Sequence, residues 1–287
     1  MASESDRAAA DAAHRAWLHD TFAKATAAAN VTPVGEPVFG WSDRSMSSRV
    51  QTAAGDHWLR MVVEQQTWAR GDFWNGNEAA NVITGVAKPS VVGHWEWQDG
   101  IWMVRAELMT LVHGTPCSDT PELRQPIEPT TSWWDDLRTS LLALSEAQTQ
   151  RTHLRQADVT RRLAVFFGER TGEVTVSRWA AAHTDLHWAN LRAPQCVLVD
   201  WEGWGLAPIG YDAAYLYVHS LLHPDVAARV HAEFGNELDS RDGLISQLYA
   251  TTRLLLRIEQ GDYPGMVIPL HRAAERAIAR LAASPRR

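Results

Sequence analysis

A stretch dense in Pro, Ser and Thr, HGTPCSDTPELRQPIEPTTS (113–132), separates two hydrophobic periods. Before it, apolar residues come in short strand-like runs bounded by turn residues. After it, they recur at helical spacing. A chain patterned this way is expected to be α+β, with a smaller antiparallel-sheet lobe over 1–112, a linker with turns, and a larger, mainly helical lobe over 113–287.

The local signals fill in that outline. A leading helix is predicted over 4–29, with Ser3 and Ser5 able to cap it and Trp17, Leu18, Phe22 and Ala25 on one face. Strand-like runs follow at Val38–Trp41, Arg49–Thr52 and Trp58–Val63, separated by SDRS and AAGD, which suits an antiparallel meander. A helical segment near Asn77–Ile83 precedes Pro89. Then SVVGHWEWQ and IWMVRAELM read as a hairpin joined by Asp99-Gly100. Past the linker, Ser132 and Asp135 start a helix carrying Trp133, Leu137, Leu141 and Leu144. DVTRRLAVFFGER is a second helix. Beyond Asp212 nearly everything reads as helix, punctuated by HPD, FGNELDS and GDYPG.

Composition excludes some functions. The chain has 287 residues, 45% of them hydrophobic, and a formal net charge of −7, so no basic excess exists to neutralise nucleic-acid phosphates. Cys117 and Cys196 stand far apart without metal-ligand spacing, which argues for a reducing compartment over a disulfide framework. The first twenty residues lack the basic and apolar regions of a secretion signal. No run is long and apolar enough to span a bilayer. A cytoplasmic protein without nucleic-acid or membrane partners is the expectation.

The segment HTDLHWANLRAPQCVLVDWEGWG (183–205) concentrates His183, Asp185, His187, Asn190, Asp200 and Glu202. Zinc could use two imidazoles and a carboxylate, but Thr-Asp-Leu-His-Trp does not favour the strand that would align them. Asp200 and Glu202 could form a glycosidase-like pair only if their strand continued, and Gly203 and Gly205 argue that it stops. The bland alternative makes Asp185 and Asn190 caps and Asp200 a strand end. Phosphoryl transfer accounts for more of the pattern. It needs a carboxylate that orients a hydroxyl and hard oxygen ligands for Mg²⁺. Asp185 would face the acceptor, with Asn190 and Asp200 on the metal.

HTDLHWAN, followed by VLVDWEGWGLAPIGYDAA, resembles the aminoglycoside phosphotransferase family, small-molecule kinases with a protein-kinase-like fold. The likeness is strong over 180–216, plausible over 30–120 and architectural beyond. It implies a bilobal fold in which a five-stranded sheet lobe holds ATP (or GTP) with Mg²⁺ against the helical lobe through a hinge. On this resemblance Asp185 is the catalytic base, Asn190 and Asp200 are metal ligands, and His183 and His187 brace the loop. Asp212 anchors a helix start or the loop backbone. The hinge is VRAELMTLVHGTP, where Thr110 and Val112 would read the adenine edge and Gly114 turns the chain. FGWSDRSMSS would cover the phosphates, with Ser45 and Ser47 as donors, or be an ordinary hairpin turn.

One departure concerns the phosphate-binding lysine. The chain has only Lys24 and Lys88, and HWLRMVVE places Arg60 at the strand position, with Glu78 as its expected partner. A nucleotide-binding but inactive protein is therefore a rival, although Asp185, Asn190 and Asp200 are all present. Trp201, Glu202, Trp204, Asp262 and Tyr263 are the acceptor candidates. Carboxylates there would suit a cationic, hydroxylated small molecule, with an aminoglycoside-like antibiotic as first guess. A sugar, amino alcohol or choline-like metabolite is the close alternative. Most of the fourteen tryptophans, including Trp95 and Trp97, are read as packing.

Overall fold

The computed structural model describes residues 4–283, with side chains from Asp6 onward, so the proposed caps Ser3 and Ser5 lie outside the described side chains. Two compact units are present. One runs to Asn81 and resumes over Pro89–Val112. The other takes Val82–Lys88 and continues from His113.

In the first unit, α1 (Glu4–Ala29) precedes β1 (Thr32–Phe39), β2 (Ser45–Thr52), β3 (Gly55–Gln65), the short α2 (Gly76–Ala79), β4 (Val91–Asp99) and β5 (Trp102–Thr110). The five strands form one antiparallel sheet in the order β1-β2-β3-β5-β4. The first three strands are the expected meander. The last two exchange places, so β5 lies inside the sheet and β4 at its edge. Asp99 pairs with Trp102, so the hairpin loop is Gly100–Ile101, one residue later than Asp99-Gly100, with Gly100 at φ 61°. The period-two pattern puts Leu59, Met61, Val63, Val104 and Ala106 on one face, against Leu18, Phe22 and Ala25 of α1. Each Leu, Met, Val or Phe side chain so buried contributes roughly 1.5–3 kcal/mol. Trp95 and Trp97 pack at the edge of this core.

The second unit opens with β6 (Thr115–Pro116), then α3 (Thr131–Ser145), α4 (Gln156–Phe167), β7 (Trp179–Ala182), β8 (Leu191–Ala193), β9 (Val197–Leu198) and β10 (Gly205–Pro208). It closes with α5 (Tyr211–His219), α6 (Pro224–Leu238), α7 (Arg241–Ile258) and α8 (Val267–Ala283). The cap of α3 is Thr130, whose hydroxyl accepts from Trp133 N–H at 3.3 Å, two residues before the expected Ser132. The segment FGNELDS kinks α6 at Phe234 instead of ending it, and the helix runs on to Leu238. Gly114 must be glycine: it has φ 94°, and a Cβ there would lie 2.4 Å from the Ala193 carbonyl oxygen of β8. The core gathers α4, α5, α7 and α8 around Leu163, Tyr211, Leu248, Leu254 and Ala274. Among the described residues no helix is long and apolar enough to cross a membrane.

Candidate active site

Strand β7 delivers the chain to His183, which is fully buried, and the strand pattern stops there. The reason is Thr184, which takes a left-handed φ of 72°, costly for a β-branched residue. Its polar groups are held from several sides. Its N–H donates to Asp212 Oδ1 at 2.8 Å and its hydroxyl to the Gly203 carbonyl at 2.8 Å. Its carbonyl accepts from Arg253 Nη1 at 3.0 Å. Asp212 Oδ2 also accepts from the His183 N–H at 2.7 Å. The His183 ring donates from Nε2 to the Val199 carbonyl at 3.0 Å and stands edge-on to Trp201.

Beyond Asp185 the loop folds onto itself. Asn190 Nδ2 donates to the Asp185 carbonyl at 3.0 Å and lies 3.3 Å from His187 Nε2. With the amide nitrogen engaged, Oδ1 is the acceptor atom of that side chain. The Asn190 carbonyl accepts from Val199 N–H at 3.0 Å, which ties the loop to the residue before Asp200. Asp200 itself is exposed and has φ 69°, a second non-glycine residue in the left-handed region. Trp188, fully buried against Trp133 and Trp134, anchors the loop from below.

Asp185 is the charged centre of this arrangement. Its Oδ2 lies 3.4 Å from His187 Nε2 and its Oδ1 3.6 Å from Arg253 Nη2. Packing around the carboxyl acts to raise its pKa. The hydrogen bond and charge of His187, with the charges of Arg253 and His183, outweigh that and hold it well below the usual carboxylate range. Burial, with a smaller push from Arg253, drives His153 down to about 4, so that imidazole is neutral near pH 7. Burial likewise lifts Tyr211 and Tyr263 to about 12. Among the described residues no group of three or more His, Cys, Asp or Glu side chains gathers to hold a metal. An ion here would need the mixed amide and carboxylate donors of Asn190 and Asp200 with outside oxygens, a set that suits Mg²⁺ better than zinc.

In the first unit, the sheet face away from α1 carries a buried charged network. Arg105, 3% exposed, donates to Glu107 Oε1 at 2.7 Å and to Glu78 Oε2 at 2.7 Å, and also binds Glu96. Asn77 Nδ2 holds Glu107 Oε2 at 2.9 Å, and Arg60 Nη1 lies 3.9 Å from that same oxygen. Glu78, expected beside Arg60, thus meets Arg105 and His94, while Glu107 lies close to Arg60. Ser45 opens β2, and the loop before it contains a 3-10 turn over Trp41–Asp43. Thr110 ends β5, with Ser90 bonded to its N–H and hydroxyl at 2.9 Å each. Val112 follows, just outside the strand.

No family model matches the chain, and no curated protein matches it. Solved structures do. A thermostable mutant of an aminoglycoside phosphotransferase superposes with a TM-score of 0.53 at 13% identity, over 87% of this chain and 94% of that one. A spectinomycin phosphotransferase, in complex with ADP and spectinomycin, gives 0.51 at 10% identity over 87% and 89%. A putative fructosamine-3-kinase from Haemophilus somnus gives 0.51 at 10% identity over 86% and 91%.

The chain has the fold of the small-molecule kinases.

Within this kinase-like fold, two of the acceptor candidates, Trp201 and Trp204, need correction. Trp201 and Trp204 are 1% and 3% exposed, so neither ring face is open to an acceptor. Trp201 Nε1 donates to the Leu198 carbonyl at 2.9 Å, and Trp204 lies beneath the Arg151 guanidinium at 4.9 Å. The Glu202 backbone carbonyl accepts from Arg151 Nη2 at 3.2 Å. Asp262 forms an ion pair with Arg257 at 2.7 Å, which offsets its charge toward a cation. The motif reading missed Arg253, His153, Asn77, Arg105 and Glu107. None lies in a spaced motif, and in a chain that uses arginine almost everywhere lysine could stand, no single arginine draws notice.

Proposed function

We propose that this chain is an ATP-dependent O-phosphotransferase acting on a hydroxylated small molecule. The carrying observation is the loop in which Asp185 is held ionised between His187 and Arg253 while Asn190, its amide nitrogen engaged, is tied to the residue preceding Asp200. Asp185 orients the acceptor hydroxyl and takes its proton late, as the acceptor oxygen bonds to the γ-phosphorus and ADP leaves. A carboxylate of depressed pKa is a weak base, which suits a loose transition state that needs positioning more than deprotonation. Asn190 Oδ1 and the Asp200 carboxylate would hold Mg²⁺, which neutralises phosphate charge when bound. The first lobe, 1–112, would serve the nucleotide, with Ser45 and Arg60 toward phosphates, Glu78 in the ion-pair network, and Thr110 and Val112 toward the base, although Val82–Lys88 fold with the other unit. The helical unit, 113–287, would carry the acceptor. Aminoglycoside-like and related antibiotics are the first acceptors to screen, because an aminoglycoside phosphotransferase and a spectinomycin phosphotransferase share this fold.

The test is a thermal-shift titration with ATP and Mg²⁺, followed by an ADP-release screen over hydroxylated acceptors. The wild type should be stabilised by ATP only with Mg²⁺, and Asp185→Ala should lose acceptor-dependent release. Absence of any ATP stabilisation in the wild type would refute the reading.

A further inference from the structure

We propose that Arg253, on α7, is a positioning residue that aims the Asp185 carboxylate. The catalytic part of this inference rests on the phosphotransferase reading; the geometric part stands without it. Arg253 is an arginine in the middle of a helix whose neighbours Thr252, Leu254 and Leu255 are buried. Its planar fork controls two points of one residue's surroundings. Nη1 donates to the carbonyl of Thr184, the peptide that leads into Asp185, at 3.0 Å. Nη2 stands 3.6 Å from Asp185 Oδ1. His187 lies 3.4 Å from the other oxygen, Oδ2, so the carboxylate is bracketed by one group from its own loop and one from a distant helix. Rotation about its terminal torsion would weaken both.

The fork is itself held. Nη1 also donates to the Tyr211 hydroxyl at 3.0 Å, and the guanidinium carbon lies 4.8 Å over the Tyr215 ring, both from α5. A relay reinforces the turn. Arg253 Nη1 faces His153 Nε2 at 3.5 Å, and His153 Nδ1 lies 3.2 Å from the Thr184 hydroxyl, which donates to Gly203. With the imidazole neutral, Nδ1–H donates to the Thr184 hydroxyl and the Nε2 lone pair faces Arg253 Nη1, whose two hydrogens are taken by the Thr184 carbonyl and the Tyr211 hydroxyl. Lysine could replace the charge but not the two-point hold.

Arg253→Lys and Arg253→Gln test this in two arms. The first is amide hydrogen exchange of the intact protein. Amides of 183–190 should exchange about tenfold or more faster in both variants, with those of α8 unchanged. The second is ADP release with ATP, Mg²⁺ and the acceptor panel. Here kcat should fall about 10- to 100-fold with KM for ATP within about twofold, since the loss is of aim rather than of nucleotide contacts. Guanidinium ion added to Arg253→Ala should restore part of the lost kcat. Unchanged exchange at 183–190 in both variants, or kcat within about twofold of wild type in Arg253→Gln, overturns the proposal. A wild type that neither binds ATP nor releases ADP defeats the functional reading instead, and the exchange arm then decides the role of Arg253 alone.

Discussion

The backbone N–H of Thr184 donates to Asp212 Oδ1 at 2.8 Å, while the neighbouring His183 N–H donates to Oδ2 at 2.7 Å. One carboxylate in the first turn of α5 therefore fixes the left-handed step from which Asp185 projects. Asp212→Ala would leave two buried N–H groups unpaired, at a cost of about 2–4 kcal/mol. Urea unfolding should show that loss, with Asp212→Asn intermediate because it keeps one acceptor. An alanine variant as stable as wild type would show that water or a shifted loop replaces the carboxylate.

Thr184 separates strain from hydrogen bonding. At φ 72° a β-branched residue is strained, and its hydroxyl bonds to Gly203 and His153 offset that. Thr184→Ala loses the hydroxyl and keeps a Cβ in the left-handed region. Thr184→Gly loses the hydroxyl and the strain together. The glycine variant should be more stable than the alanine variant by about 1 kcal/mol, measurable as a difference in melting temperature. The reverse order would mean that the turn relaxes when the hydroxyl is gone.

Stability should fall on mild acidification. Burial pushes the fully buried His219 down to about 3, with a smaller contribution from His187, and pushes His153 down to about 4. The unfolded chain takes up these protons near pH 6.5, while the folded protein refuses them until much lower pH. Unfolded molecules thus bind more protons in that window. The contribution of each group is whole above pH 6.5 and is lost as pH falls toward 4 and then 3, with a slope of about 1.4 kcal/mol per unit for each fully differing group. His219→Gln should flatten the profile of melting temperature between pH 6.5 and 4. A curve parallel to wild type would assign the acid sensitivity elsewhere.

The proposed metal and base roles predict separable phenotypes. Asp200→Ala and Asn190→Ala should lose Mg²⁺-dependent stabilisation by ATP. Asp185→Ala should keep it, while acceptor turnover falls by about 10²–10⁴-fold. Thermal shift and ADP release on the same preparations separate the two. Turnover surviving in Asp185→Ala would remove it from the proposed role.

In the sheet unit, Glu107 and Arg105 are 2% and 3% exposed and bonded at 2.7 Å. Glu107→Ala breaks a buried pair from one side and also strands Asn77, so a loss of about 3 kcal/mol or more is expected in chemical denaturation. A loss below about 1 kcal/mol would mean that Glu78 and Glu96 neutralise Arg105 unaided.

Much of this molecule could be read from short-range pattern. The period-two runs, the turns between them and the apolar stripe of α1 announced the sheet and its covering helix, because strand and helix periods are local properties of consecutive residues. The span from His183 to Asp200 was legible for the same reason: its proposed roles sit within one loop and the two short strands β8 and β9. Tertiary structure alone decided the rest. It put β5 rather than β4 beside β3, since register depends on which faces find a common core. It sank Trp201 and Trp204 under His183 and Arg151, where sequence made them acceptor candidates. It also brought Arg253 to Asp185 across 68 positions of chain, a pairing set by the packing of α7 against α5 and carried by no spacing. The sequence by itself thus determined the local elements and the loop that holds the candidate chemistry. Only the folded chain decided which distant charges surround that loop, because burial and partnership of a side chain are properties of packing and not of neighbours in sequence.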